Sequence, residues 1–401
     1  MAKHAAHTED NQSTEILGGY SGGYTYPDGS TYGAPAGSQA AKEKAQAAPY
    51  SRNNVANYTT LSSVYTQRLQ KKRRNKRIAA VVSAVLIALV LIGGAGLLFV
   101  NKADSNLGYA DTSYAKSVFD QLAKQEAEHL FYMLLIGSDT ESIDGKPVNR
   151  SRSDVLILAR VDTEKQQVTL VSIPRDTPWK QDNGQYTKIN EAYHAGGAPA
   201  AVAAVEQVSG IRANHVAEIN LGQLAEFIDS IGGLDFEVPI DTHFYNRETG
   251  EKFDIDAGQQ HLDGRSALAV VRMRKDYEGN QDAGRQSTIR EIVTALYKQV
   301  TSRPTTELPS TVLAAAECVD TDLSSLQILS VLSNLGSNAT FYNVSAPSAG
   351  DLDPGCGTWL CYSNPDGWER LMGMVKAGED PSSISYAEDA VYYPSTGEPV
   401  S

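Results

Sequence analysis

Hydrophobic and polar positions fall into three regimes along the chain. Up to residue 77 there is almost no aliphatic clustering; "GGYSGGYTYPDGSTYGAPAGSQAAKEKAQAAPY" is rich in Gly, Ser, Ala and Tyr. Such a stretch cannot bury enough apolar surface to offset the entropy of an ordered chain. Residues 1–77 are therefore expected to be disordered. The next 23 residues, Ile78 to Val100, read "IAAVVSAVLIALVLIGGAGLLFV" without a single charge. As a helix at ~1.5 Å per residue they span roughly 35 Å, enough to cross a hydrocarbon core of about 30 Å with some tilt. A buried core helix is the duller alternative, but few soluble helices are apolar on every face for so long.

Beyond this segment the periodicity alternates. Residues 101–130 are polar and helix-like and read as a spacer. From Phe131, "FYMLLIGSD", "DVLILARVD" and "QVTLVSIPRD" read as buried strands, the last two joined as a hairpin through "DTEKQQ". "APAAVAAVEQVSG" is helical and closes at Gly210; "LGQLAEFIDSIGG" sets Leu224, Phe227, Ile228 and Ile231 on one helical face and ends at Gly232 and Gly233. A short strand "LDFEVP" stops at Pro239, "REIVTALYKQV" is an amphipathic helix and "FYNVSAP" a late strand. This alternation predicts helices packed on both faces of a largely buried mixed sheet. The domain would span 131–380, followed by a flexible acidic tail over 381–401.

Charge sets a direction. "KKRRNKR", Lys71 to Arg77, precedes the apolar segment, and only Lys102 closely follows it. The positive-inside rule then puts the N-terminus in the cytoplasm and the rest outside, in a single-pass membrane protein with an extracellular domain. A cleaved signal peptide fits poorly, because the apolar run is too long and no A-x-A site follows. The first hundred residues hold 11 of the 35 basic and 5 of the 48 acidic side chains, so the remainder carries 24 against 43, a balance of −19. An exterior this acidic argues against a nucleic-acid surface. All three cysteines, Cys318, Cys356 and Cys361, lie in it. "GCGTWLC" could close a small disulfide loop, pairing through Cys318 is equally open, and a zinc site is the weaker rival since no histidine lies nearby.

Four strand ends or turns carry ionic groups. "IGSD" ends at Asp139; "NRSRSD" holds Arg150, Arg152 and Asp154, which share a face if extended; "SIPRD" presents Arg175 and Asp176. "VVRMRKD" holds Arg272 and Arg274, followed by "NQDAGRQ" with Asp282, Arg285 and Gln286. Arg272 and Arg274 share a face in an extended chain but diverge by about 200° in a helix. Any one such stop is commonly just a solvated strand end. Their coincidence points to a diphosphate site, with arginines as bidentate donors to phosphate oxygens and paired carboxylates able to hold Mg²⁺. No Walker-type or G-x-G-x-x-G loop is present, which disfavours a nucleotide.

"LLIGSD", "RSRSDVLILARVD", "VTLVSIPRDT", "KINEAYHAGG", "IDSIGGLDFEVP" and "HLDGRSALAVVRMR", in this order behind a signal-anchor, resemble the LytR-CpsA-Psr family of Gram-positive cell-envelope proteins. The resemblance covers about residues 131–300 and continues more weakly to about 350. It implies an α/β/α sandwich with an apolar pocket for lipid. It also implies a phosphotransferase that moves a glycopolymer from a polyprenyl-pyrophosphate carrier in the membrane to the muramic acid 6-hydroxyl of peptidoglycan, with a pyrophosphatase side activity. By position, Asp139 and Asp154 match the family's aspartates for Mg²⁺ (or Mn²⁺), and Arg152, Arg175, Arg272, Arg274 and Arg285 its arginines around the pyrophosphate. Asp176, Lys188, Asn190, Asp282 and Gln286 are expected to bind substrate, and Tyr193 belongs to the matching "KINEAY" stretch. Members often carry two arginines three residues apart after the R-x-R, the second followed by Gln; here only "AGRQST" remains. The rival readings are a non-catalytic polyprenyl-phosphate-binding scaffold and a regulator. Against the regulator, the 77-residue N-terminal piece has no helix-turn-helix pattern.

Overall fold

A computed structural model describes residues 81–85, 98–138, 142–143, 146–147, 152–246, 249–273, 277, 281–362, 365–384, 392–393 and 399. The chain divides into two units, Met1–Ile87 and Ala88–Ser401. In the first, residues 81–85 are helical and exposed, and the reading of 1–77 as disordered lies outside the described residues. The expected membrane span, 78–100, is described only at 81–85 and 98–100, helical in both pieces. Among the described residues no helix is long and apolar enough to cross a membrane.

The second unit is built on a six-stranded sheet. Its strands are β1 (Leu130–Ser138), β2 (Ser153–Asp162), β3 (Gln167–Ser172), β4 (His215–Asn220), β5 (Val319–Thr321) and β6 (Thr340–Ser345), in the order β5-β4-β1-β2-β3-β6. β1 pairs antiparallel with β2 and parallel with β4; β3 pairs antiparallel with β2 and parallel with β6; β5 is antiparallel to β4. The sheet is thus mixed, and β2–β3 is the hairpin that "DTEKQQ" predicts, its turn passing through Gln166 at φ 51°.

The strands read as unbroken apolar runs because alternate side chains enter two different cores. Leu134, Ile136, Leu156 and Leu158 meet α1 (Thr112–Gln121) and the Ala/Val-rich face of α2 (Asn190–Ser209) on one side. Phe131, Ile157, Ala159 and Val161 meet α3 (Leu221–Ser230), α4 (Gly264–Arg272) and α5 (Gln281–Thr301) on the other. α6 (Leu308–Ala315), β5 and α7 (Ser325–Leu335) lead to β6, and α8 (Pro365–Ala377) returns to the first core through Trp368, Leu371, Met372 and Val375. Each fully buried Leu or Ile in these layers contributes about 1.5–3 kcal/mol. The result is helices on both sides of a mixed sheet, as the alternating pattern predicts.

Several segments depart from the sequence reading. Residues 101–130 are helical in part, as expected, but they dock on the domain: Val118 of α1 is fully buried in the first core and Tyr114 packs against it. α2 starts earlier than "APAAVAAVEQVS", at Asn190, and bends at Gly197 (φ 69°, ψ −154°), with Pro199 just beyond. The freed Ala198 N–H donates to Tyr114 Oη at 2.8 Å. A Cβ at 197 would meet that oxygen at 2.4 Å, so both the backbone angle and the close approach require glycine. "VVRMR" is helical up to Arg272, where α4 ends and Met273 turns extended. The described part of the tail packs on the domain: Ile384 reaches the first core, and the Tyr393 ring stands edge-on to Tyr362 at 5.1 Å. Cys318, Cys356 and Cys361 are all free thiols.

Candidate active site

β3 runs out at Ser172, and Ile173-Pro174-Arg175-Asp176 turns back over the sheet. The Thr177 N–H closes the turn on Pro174 O at 2.9 Å. Three carbonyls of this stretch are then taken by amides of two other segments. Asn190 N–H, at the start of α2, donates to Arg175 O at 3.2 Å; Ile189 N–H donates to Thr177 O at 2.8 Å; Cys361 N–H, from the hairpin Ala349–Leu352/Trp359–Tyr362, donates to Asp176 O at 2.8 Å. Strand, turn and main-chain clasps hold Arg175 and Asp176 in one place.

The charges converge from there. Arg175 Nη1 donates to Asp154 Oδ1 at 2.6 Å, and its Nε lies 4.0 Å from Asp176 Oδ2; Lys188 Nζ sits 2.8 Å from Asp176 Oδ1. From α5, Arg285 Nη2 donates to the Asp154 carbonyl at 3.2 Å and to Asp282 Oδ1 at 2.9 Å, while Gln286 Nε2 donates to Asp282 Oδ2 at 2.6 Å. Burial alone would lower the Arg175 guanidinium, but its bond to Asp154 and the charges of Asp154, Asp176 and Asp282 hold it above the ordinary arginine value. Cys361 lies in the same field. Burial, then Asp176 and Asp282, push its thiol up to about 12, against the pull of Lys188 and Arg175.

Among the described residues, Ser153 Oγ, Arg175 Nε, Asn190 Oδ1 and Gln286 Oε1 around this network are buried without a hydrogen-bond partner. Buried polar groups are nearly always satisfied, and each left unmade costs about 1–3 kcal/mol. The arrangement is therefore suited to a polar ligand that completes it.

The structure thus brings together Asp154, Arg175, Asp176, Lys188, Asn190, Asp282, Arg285 and Gln286. Arg152 stands at the rim: exposed, it gives its Nε to Glu191 Oε1 of α2 at 2.5 Å rather than to Asp154. Arg272 is half-buried at the end of α4. Asp139, Arg150 and Arg274 lie outside the described residues. Asp139 follows Ser138, which pairs with Ser153, the residue before Asp154, across a register shift at the tip of β1. The tip is pinched: a Cβ at Gly137 would lie 2.9 Å from Val155 Cβ. Such irregularities re-aim side chains at strand ends.

Beside Asp154 the sheet is not sealed. Met133, Leu135 and Val155 point into the second core from the middle of the sheet, yet they are only half-buried, as are Leu224 of α3 and Val293, Leu296 and Tyr297 of α5. These side chains pack against the second core and leave part of their apolar surface uncovered, beginning at Val155, the residue after Asp154.

One group escapes the sequence reading. Glu218 of β4 accepts from Tyr193 Oη at 2.7 Å and from Tyr114 Oη at 3.1 Å. Burial raises its carboxyl above the usual glutamate range, Asp320 opposite on β5 adds to the rise, and the two tyrosines oppose it. The available signal is the phase of "HVAEIN": Glu218 shares the inward face of Val216. The folded chain therefore holds this proton to higher pH than the unfolded chain. The stabilisation is complete below the ordinary glutamate range and is lost as pH rises through the raised value. Glu218→Gln is expected to flatten that part of the melting-temperature profile against pH; an unchanged slope would remove Glu218 as its source.

The LytR_cpsA_psr family model matches residues 97–354 of the chain. Among characterised relatives, the polyisoprenyl-teichoic acid–peptidoglycan teichoic acid transferase TagU of Enterococcus faecalis is 32% identical over 256 residues, covering 63% of this chain and 80% of that protein. TagV of Bacillus subtilis, named as the same kind of transferase, is 29% identical over 239 residues, covering 57% of this chain but only 58% of its own length. Of solved structures, B. subtilis TagV superposes with a TM-score of 0.55 at 24% identity, over 63% of this chain and 98% of that one. A Streptococcus agalactiae protein gives 0.57 at 23%, over 64% and 91%. At these identities the likeness establishes the shared mixed α/β fold.

Proposed function

The chain belongs to the LytR-CpsA-Psr family, and from that premise we propose that it transfers a glycopolymer from a polyprenyl-pyrophosphate carrier to the muramic acid 6-hydroxyl of peptidoglycan. The observation that carries this reading is the Asp154–Arg175 ion pair beside the Arg285–Asp282 pair, with buried polar atoms that lack hydrogen-bond partners among the described residues and half-buried apolar side chains next to it. Arg175, Lys188 and Arg285 supply the positive charge that a pyrophosphate needs, and the apolar side chains beside them suit an isoprenoid chain. The relatives' names, transferases acting on polyisoprenyl-linked teichoic acid and peptidoglycan, support the same substrates.

Among the described residues no three His, Cys, Asp or Glu side chains gather into a metal cage. The partly exposed carboxylate of Asp154 fits an ion such as Mg²⁺ or Mn²⁺, which takes one or two carboxylates and completes its shell with phosphate oxygens and water. Asp154, still about a quarter exposed at 28%, and Asp139 would hold it, and it would supply charge neutralisation. The side chains of the site do the positioning that phosphoryl transfer chiefly requires. Arg175 and Arg285 orient the diphosphate, and Lys188 holds Asp176 in place. The acceptor hydroxyl oxygen bonds to the polymer-side phosphorus while the bridging P–O bond breaks. Polyprenyl phosphate leaves, and the hydroxyl proton passes to a site carboxylate or to water.

The segment 78–100 anchors the protein in the cell membrane in this reading, with the N-terminus cytoplasmic and the catalytic domain extracellular. Its described ends support this by leaving Val81, Val82, Val85 and Leu98 exposed. Incubating the full chain with a polyprenyl-pyrophosphate-linked oligosaccharide and peptidoglycan fragments should give Mg²⁺-dependent release of polyprenyl phosphate and labelled acceptor. Binding without Mg²⁺-dependent release would make the chain a lipid-phosphate binder instead.

A further inference from the structure

A cavity of about 840 Å³ opens beside the Arg175–Asp176 turn and plays no part in binding the diphosphate. Two of its walls continue from that turn. Thr177 and Pro178, directly after Asp176, line one side; Tyr362 lines another, and its neighbour Cys361 clasps the Asp176 carbonyl. The C-terminal end of α2, Gln207 to Gly210, and the Pro365, Met372 and Gly373 face of α8 form further walls, with Tyr186, Tyr392 and Tyr393 around them and the buried Trp368 behind. Tyr392 is half exposed at 50%, and Tyr186 only half-buried. Exposed Glu369 and Lys376 are the acid and the base among its described lining residues.

This chemistry contrasts with that of the neighbouring site. There the cations gather; here, among the described lining residues, no arginine is present and Glu369 offsets Lys376. Ring faces stack on the C–H faces of sugars, and polar groups at their edges take hydroxyl and acetamido groups. The volume lies towards the upper end of the ~300–1,000 Å³ typical of small-molecule sites, room for a short oligosaccharide. A polyanionic donor chain would meet one ammonium beside a carboxylate.

We propose that this cavity is the subsite for the uncharged glycan of the acceptor, delivering a peptidoglycan strand along Thr177 and Pro178 to the diphosphate. The assignment of the strand as acceptor rests on the transferase reading; the sugar-binding site does not. The test is calorimetric titration of the full chain with tetra-N-acetylchitotetraose, an uncharged N-acetylglucosamine oligomer, and in parallel with a glycerol phosphate oligomer. Saturable binding of the sugar alone is expected. It should weaken tenfold or more in Tyr186→Ala/Tyr392→Ala and in Glu369→Ala, with the melting temperature of each unchanged. Failure of the sugar to bind, equal binding of the phosphate oligomer, or full affinity in the double variant would overturn the proposal. Arg175→Ala separates the two readings, since it should abolish release of polyprenyl phosphate and leave chitotetraose binding intact. Release from the carrier without sugar binding would sink the subsite alone; sugar binding without release would keep the subsite and sink the transferase.

Discussion

Arg175→Ala is expected to lower turnover of a polyprenyl-pyrophosphate substrate by roughly 10²–10³, the effect of removing one preorganised charge stabiliser from a reaction centre. The residue combines three properties in one place. Its guanidinium pairs with Asp154 at 2.6 Å, its backbone is clasped by Asn190, and its Nε is buried without a partner. Because the side chain is about a quarter exposed at 26%, its loss should destabilise the fold by less than the ~3–5 kcal/mol of a fully buried broken pair. The domain should therefore remain folded, as circular dichroism would report. Arg175→Lys keeps the charge but not the planar fork, and should recover only a small part of the activity. Wild-type turnover in the alanine variant would remove Arg175 from the chemistry.

Arg285→Ala should act on stability first. Its side chain is 4% exposed and bridges Asp282 and the Asp154 carbonyl. Deleting it leaves a carboxylate and a carbonyl without their cation, a loss of about 3–5 kcal/mol in unfolding free energy as denaturant titration would measure it. Removing Asp282 as well takes away the stranded carboxylate, so the double variant should be more stable than the sum of the singles by about 0.5–3 kcal/mol. Strict additivity would show that Arg285 and Asp282 do not act as a pair.

What could be read from the sequence was whatever depends on neighbours along the chain. The hairpin through "DTEKQQ", the stops at Gly210 and Gly232 and the two-sided burial of β1 to β3 are local patterns, and they recur in the structure. The charged stops were legible as a set of residues but not as a geometry. That Arg285 reaches the carbonyl of Asp154 crosses 131 residues, and that Arg152 turns to Glu191 depends on where α2 begins. Helical periodicity did not foretell that beginning, because Gly197 and Pro199 break the pattern while a tyrosine hydroxyl from α1 repairs it. Glu218 was hidden for a similar reason: a lone carboxylate in a strand looks like a surface residue until Tyr114 of α1 and Tyr193 of α2 close over it.

The carbonyls of Arg175, Asp176 and Thr177 are held by amides lent from residues 190, 361 and 189. For these three hydrogen bonds only the backbone donor counts, so among substitutions at those positions proline alone, which has no N–H to give, removes one outright. Homologous chains could thus diversify the walls around the diphosphate freely, and so trade one polymer for another, while its cradle stays rigid.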